Sequence, residues 1–282
     1  MSVPKHLDPD PLVGAVKVAA KSGELAALIA TPPPDVEPRS GVLLVPGYTG
    51  SKEDFWHVLP LLARRGHQAI AIDLRGQHDS GGPEDVAAYS TEALGADVAS
   101  LLTTADEPWH LVGHSFGGLV CRAAVLAGAP VRSLTLLGSG PAALGGNRAM
   151  LVELMRPMLQ DGGVPQVWEA TAALAPPAPG QPAAVTEFLE RRFLSSPAAA
   201  LLGMGESLVN APDLVDDLAA AGVPILVACG ENDDAWSPAQ QQEMAARLGA
   251  PFVSLPGAGH SPNVDVPDLV VETLESFWDS VP

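Results

Sequence analysis

Cysteine is almost missing: the 282 residues hold two, Cys121 and Cys229, each inside an apolar stretch. A disulfide framework needs a spaced, even set of cysteines and a thiolate metal site needs a cluster, so neither is supported and two buried thiols are expected. Basic residues are scarce as well. Fifteen Lys and Arg stand against 33 Asp and Glu, a formal net charge of −18. That field repels phosphate backbones and anionic lipid surfaces, so no nucleic acid is expected as a partner and neutral small molecules are favoured as ligands. No run approaches the ~18 uninterrupted apolar residues of a membrane helix. The longest charge-free segment, 170–186, is broken by Pro176, Pro177, Pro179 and Pro182. The opening MSVPKHLDPDPLVG carries Asp8 and Asp10 where a secretory signal needs its apolar core, so a cytoplasmic location with no membrane partner is expected.

What remains is a globular composition, 47% hydrophobic, with Gly and Pro at 28 each, short of the ~25–30% that marks low complexity. The length is about twice the ~150-residue domain prior, yet a single α/β domain reaches ~250 residues, so one large domain with an insertion fits. Residues 13–20 and 24–31 flank Ser22-Gly23 as a hairpin at an antiparallel edge. The run GVLLVPG (41–47) is apolar throughout and bounded by turn residues, as a strand buried on both faces should be. Ser51 with Asp54 resembles a capping box opening a helix over 52–65, which Gly66 ends. Strands at 67–73, 109–113, 131–138, 223–229 and 251–255 alternate with helices at 91–104, 115–127, 238–248 and 266–279, which means crossover units and a mainly parallel sheet. Between them, 141–213 has no strand pattern, several helical stretches and four of the six methionines. It is read as a helical lid inserted into a core of 1–140 and 214–282, leaving from the carboxyl end of a strand, where α/β sheets bind ligands.

Gly113-His114-Ser115-Phe116-Gly117 lies where an apolar strand meets a helix, and G-x-S-x-G in that setting is a nucleophile elbow. A serine hydroxyl needs a neighbouring base, and histidine serves near neutral pH. Of seven histidines, His260 sits in PGAGHSP after the last strand and is assigned as base; His78, in DLRGQHDS, is the rival, read otherwise as a loop-surface side chain. The carboxylate that orients the imidazole is sought after strand 223–229, in GENDDAWSP, where Asp233 is chosen over Asp234; the one left out is expected to cap the next helix. Two amides complete an oxyanion site: Phe116, after the nucleophile, and Tyr48, in PGYTG after the first parallel strand.

These four motifs, GHSFG, PGYTG, GENDD and GAGHSP, in the order Ser, Asp, His, resemble the α/β-hydrolase superfamily across nearly the whole chain outside the insertion. The resemblance implies an α/β-hydrolase fold, a mostly parallel central sheet flanked by helices with a helical lid, and a Ser115-His260-Asp233 triad with no cofactor or metal. Two positions depart from the common pattern: Pro46 stands where many members carry His, and His78 where many carry Gly. Ser at 115 excludes the dehalogenases and epoxide hydrolases, which use Asp. Ser261 after His260 demotes the carbon–carbon bond hydrolases, which often have Trp there. Glu153, Glu169, Glu187 and Glu190 could hold a substrate amine, as in proline iminopeptidases, or be exposed helix acids. In 147–160 an apolar face of Met150, Leu151, Leu154, Met155, Met158 and Leu159 recurs at helical spacing. Met150, Met155, Met158 and Met204, with Trp168, are candidates for an adaptable apolar pocket. The expected activity is hydrolysis of a small, neutral, largely apolar carboxylic ester; alternatives are carbon–carbon hydrolysis or perhydrolysis, or a ligand receptor that retains the triad. Oligomeric state is left open.

Overall fold

The apolar runs of the sequence become the inner strands of one twisted sheet. In the computed structural model, which describes residues 2–281, the strands are β1 (Val13–Ala20), β2 (Gly23–Ala30), β3 (Val42–Val45), β4 (Ala69–Ile72), β5 (Trp109–His114), β6 (Val131–Leu137), β7 (Ile225–Gly230) and β8 (Phe252–Leu255). Their order is β1-β2-β4-β3-β5-β6-β7-β8. The β1–β2 hairpin and the β2–β4 pairing are antiparallel, and every other pairing is parallel. This is the α/β-hydrolase fold.

All four residues of β3 are buried, because alternate side chains enter separate cores. Leu43 and Val45 pack with α2 (Thr91–Leu102) and α3 (Phe116–Leu126), while Val42 and Leu44 pack with α1 (Val58–Arg64) and α11 (Pro267–Trp278). Burying each such side chain contributes about 1.5–3 kcal/mol. Both cysteines are free and buried, and burial pushes the Cys229 thiol up to about 12.

The helix expected over 52–65 is broken. Lys52–Phe55 is a 3-10 turn, and α1 starts only at Val58. Ser51 caps neither, because its hydroxyl donates to Glu53 at 2.6 Å, and Asp54 turns inward to meet Arg192. Gly66 does end the helix, at φ 93°.

Between β6 and β7 the chain forms α4 (Gly146–Asp161), α5 (Gly163–Leu174), α6 (Ala183–Leu194), α7 (Ala198–Val209) and α8 (Val215–Ala220). This helical insertion has its own apolar cluster of Leu159, Val164, Val167, Phe193 and Leu201, against which Tyr48, Met155, Met158 and Trp168 pack. A buried ion pair, Arg192 Nη1 to Asp54 Oδ1 at 2.7 Å, joins α6 to the segment after β3. The proline-broken stretch 175–182 links α5 to α6, as its composition requires. After the insertion come α9 (Pro238–Leu248) and α10 (Pro262–Asp265). No helix among the described residues is long and apolar enough to cross a membrane.

Candidate active site

The elbow is a backbone construction first. Between β5 and α3 the chain reverses at Ser115, held at φ 53° and ψ −121°, a region that L-residues rarely occupy and that costs of order 1–3 kcal/mol. Reversal is possible because the residues two positions away on either side, Gly113 and Gly117, lack side chains. A Cβ at Gly113 would stand 2.5 Å from the Gly117 carbonyl oxygen, and one at Gly117 would collide with the carbonyls of Val45 and Pro46. The turn is closed by Ser115 N–H donating to Leu137 O and Gly118 N–H donating to Ser115 O, both at 2.9 Å.

The loop after β8 carries His260. Its shape is set by Gly257 N–H donating to Glu231 Oε1 and Gly259 N–H donating to Asp265 Oδ2, each at 2.9 Å. His260 Nε2 lies 2.9 Å from Ser115 Oγ, and His260 Nδ1 lies 2.9 Å from Asp233 Oδ1. A carboxylate only accepts, so Nδ1 bears the proton and Nε2 is bare toward the serine hydroxyl, which donates to it. Asp233 is buried and fully hydrogen-bonded: Oδ1 also accepts from Ala235 N–H, and Oδ2 accepts from Gln241 Nε2, both at 2.9 Å.

Gln241, on α9, is a site residue that sequence reasoning missed. It lies eight positions from Asp233 with no motif between, and only the crossing of α9 over the end of β7 brings them together.

At the end of β3, Gly47 faces Ser115: a Cβ there would be 3.0 Å from the serine Cβ. The Gly47 carbonyl accepts from Gly50 N–H at 3.0 Å and from Gln77 Nε2 at 2.8 Å, which orients the peptide leading to Tyr48. Among the described residues the Tyr48 and Phe116 amides have no protein acceptor. The Tyr48 hydroxyl donates to Leu201 O on α7 at 2.9 Å, tying this turn to the insertion. Beneath the turn, Lys52 Nζ meets Asp73, Asp79 and Glu53 at 2.8, 2.7 and 3.0 Å. Burial opposes its charge, but Asp73 and Glu53 outweigh that and raise its pKa. Glu53, His78 and Asp79 are the one group of possible metal ligands among the described residues, and the Lys52 ammonium already faces two of their carboxylates.

Several expectations are corrected. His78 is buried, not on the surface: at φ 36° it takes the glycine-like conformation of its position, packs edge-on against Phe188 of α6 at 5.6 Å and lies 3.3 Å from Ser195 Oγ. Asp234 caps no helix. It forms a two-pronged pair with Arg148 of α4, at 3.1 and 2.6 Å, which holds its pKa down, while Ser237 and Gln240 supply the capping box of α9. Met150 is 70% exposed on the outer side of α4, with Leu151 and Leu154, because Met155, Met158 and Leu159 alone turn toward the insertion's cluster. It lines no pocket. Met204, on α7, is buried in the main core. Glu153, Glu169, Glu187 and Glu190 are all exposed, so none is turned inward to hold an amine.

Comparison with known proteins agrees with this architecture. The α/β hydrolase family model matches residues 42–273, and the chain belongs to that family. Over 80 residues it is 41% identical to a protein of Variovorax paradoxus (strain S110) named as a candidate carbamate hydrolase, RutD; the match covers 28% of this chain and 30% of that one. It is 25% identical, over 95% of its own length and 100% of the other's, to a Bacillus subtilis (strain 168) protein named as a candidate 2-succinyl-6-hydroxy-2,4-cyclohexadiene-1-carboxylate synthase. Among solved structures, the enol-lactonase from Burkholderia xenovorans LB400 superposes with a TM-score of 0.77 at 22% identity, covering 94% of this chain and 100% of that one.

Proposed function

We propose that this hydrolase cleaves a small, neutral, largely apolar carboxylic ester through an acyl-enzyme. Ser115 Oγ attacks the carbonyl carbon while His260 Nε2 takes its proton. Asp233 keeps the imidazole in the Nδ1–H tautomer and stabilises the imidazolium. The Tyr48 and Phe116 amides receive the oxyanion; loss of one such donor typically costs roughly 2.7–4 kcal/mol. His260 then delivers the proton to the leaving alkoxide, and a water molecule activated by the same imidazole releases the acid. The observation that carries this reading is the unbroken chain of hydrogen bonds, 2.9 Å at each link, from Ser115 Oγ through His260 to Asp233.

Residues 141–213 act as the lid over a core of 1–140 and 214–282. Met155, Met158 and Trp168 form the apolar wall for the acyl or alcohol group, and their packing against the same apolar cluster as Tyr48 supports this. The net charge of −18 favours neutral substrates.

The test is a p-nitrophenyl ester series from acetate to octanoate, with Ser115→Ala as control and fluorophosphonate labelling of the wild type. The expected result is turnover that falls by about 10⁶ in the variant, with label on Ser115 only. Labelling without turnover of any ester would favour a receptor. Turnover of carbon–carbon or peracid substrates alone would favour those chemistries.

A further inference from the structure

His114 precedes Ser115, and neither of its ring nitrogens is bonded to the Ser115 hydroxyl. It is fully buried at the end of β5, and its ring lies 5.3 Å from that of His260. His114 Nε2 is 2.8 Å from the main-chain carbonyl oxygen of His260, across 146 positions of sequence. A carbonyl only accepts, so His114 must carry its proton on Nε2. No other donor to the His260 carbonyl occurs among the described residues. Gly138 packs close by: a Cβ there would come within 3.2 Å of His260 O, 3.3 Å of Asp233 Oδ2 and 3.7 Å of the His114 ring.

We infer that His114 is a positioning residue: its Nε2–H holds the His260 carbonyl, and so registers the base-bearing loop against the strand that carries the nucleophile. The inference rests on the proposed roles of Ser115 and His260. The other main-chain bonds of the loop, Gly257 N–H to Glu231, Gly259 N–H to Asp265 and Asn232 N–H to the Ala258 carbonyl, do not reach the strand that carries Ser115. Displacement of a reacting group by about 1 Å can cost up to about 10²-fold in rate. Histidine suits the task because it can donate while uncharged. Burial first, and the neighbouring His260 second, hold its pKa down at about 3, so it adds no positive charge beside the base.

The experiment compares wild type, His114→Leu, which has no donor, and His114→Gln, which restores an N–H. Expected for His114→Leu is a kcat for p-nitrophenyl butyrate about 10- to 100-fold lower, KM within about twofold, and recovery of most of the loss in His114→Gln. Wild-type kcat in a folded His114→Leu protein overturns the inference, as does an equal loss in His114→Gln. ¹⁵N-histidine NMR of the wild type supplies a second readout. His114 should remain the neutral Nε2–H tautomer from pH 5 to 9, and an Nδ1–H tautomer, or titration in that range, overturns the inference even if the leucine variant fails to fold. A wild type that hydrolyses no ester counts against the proposed function alone. The tautomer and the rate of fluorophosphonate labelling in the three proteins then decide the role of His114, with slower labelling expected in His114→Leu only.

Discussion

Replacing Asp233 with Asn keeps the shape of the side chain but turns one acceptor into a donor. Oδ1 faces two donors, His260 Nδ1–H and Ala235 N–H, and Oδ2 faces a third, Gln241 Nε2. With the new amide group toward His260, the imidazole must present a bare Nδ1 and carry its proton on Nε2, where it can no longer accept from Ser115. Turned the other way, the amide meets Gln241, whose Nε2 also donates to Trp236 O at 2.7 Å and whose Oε1 is buried without a partner. A wrong tautomer in a serine triad lowers kcat by about 10⁴, equivalent to about 5.4 kcal/mol. Asp234→Asn is the internal control. It removes only an exposed pair with Arg148, worth about 0–1 kcal/mol, so kcat should change by no more than a few fold. Steady-state kinetics on p-nitrophenyl butyrate, with circular dichroism to verify folding, separates the two. Asp233→Asn retaining a tenth or more of wild-type kcat, or Asp234→Asn falling as far as Asp233→Asn, refutes the reasoning.

Further outcomes follow from the same geometry. His110 is buried with its pKa held down at about 3, chiefly by desolvation and then by His67. In the unfolded chain it titrates near 6.5, so between these values the unfolded state binds more protons, and stability falls as pH drops through that window by about 1.4 kcal/mol per unit. His110→Asn should therefore flatten the pH dependence of urea unfolding between pH 6 and 4 by that slope, and an unchanged slope contradicts it. Gly117→Ala drives a Cβ into the Val45 and Pro46 carbonyls, which are backbone atoms that cannot yield. It should cost about 1–3 kcal/mol or more, read as a lower thermal midpoint together with slower fluorophosphonate labelling of Ser115. Met150→Gln, at an exposed site, should leave kcat/KM across the ester series within about twofold, whereas Met155→Gln should weaken the longer acyl chains first; equal effects would refute the assignment of the apolar wall.

The alternation of apolar runs with amphipathic stretches determined the class of fold by itself, because each run of four to seven buried residues can be hidden only inside a covered sheet. Turn chemistry at strand ends was equally legible. Ser115, Asp233 and His260 could be named because each lies just past the carboxyl end of a strand, in a glycine-bearing segment whose residue types fit the chemistry. Sequence distance hid the rest. Nothing local marks Gln241 as a partner of Asp233, His114 as a donor to a carbonyl 146 residues away, or Arg148 as the partner of Asp234. Periodicity also misled. The apolar positions of α4 share a helix, but which part of that face meets the core depends on how the helix lies across its neighbours, so Met150 points to solvent while Met158 packs against the insertion's apolar cluster. His78 is polar and follows a turn, yet α6 crosses above it and buries it. Local pattern determines what a segment becomes; contacts between segments far apart in sequence are decided only when the chain packs, because their energy depends on which surfaces meet.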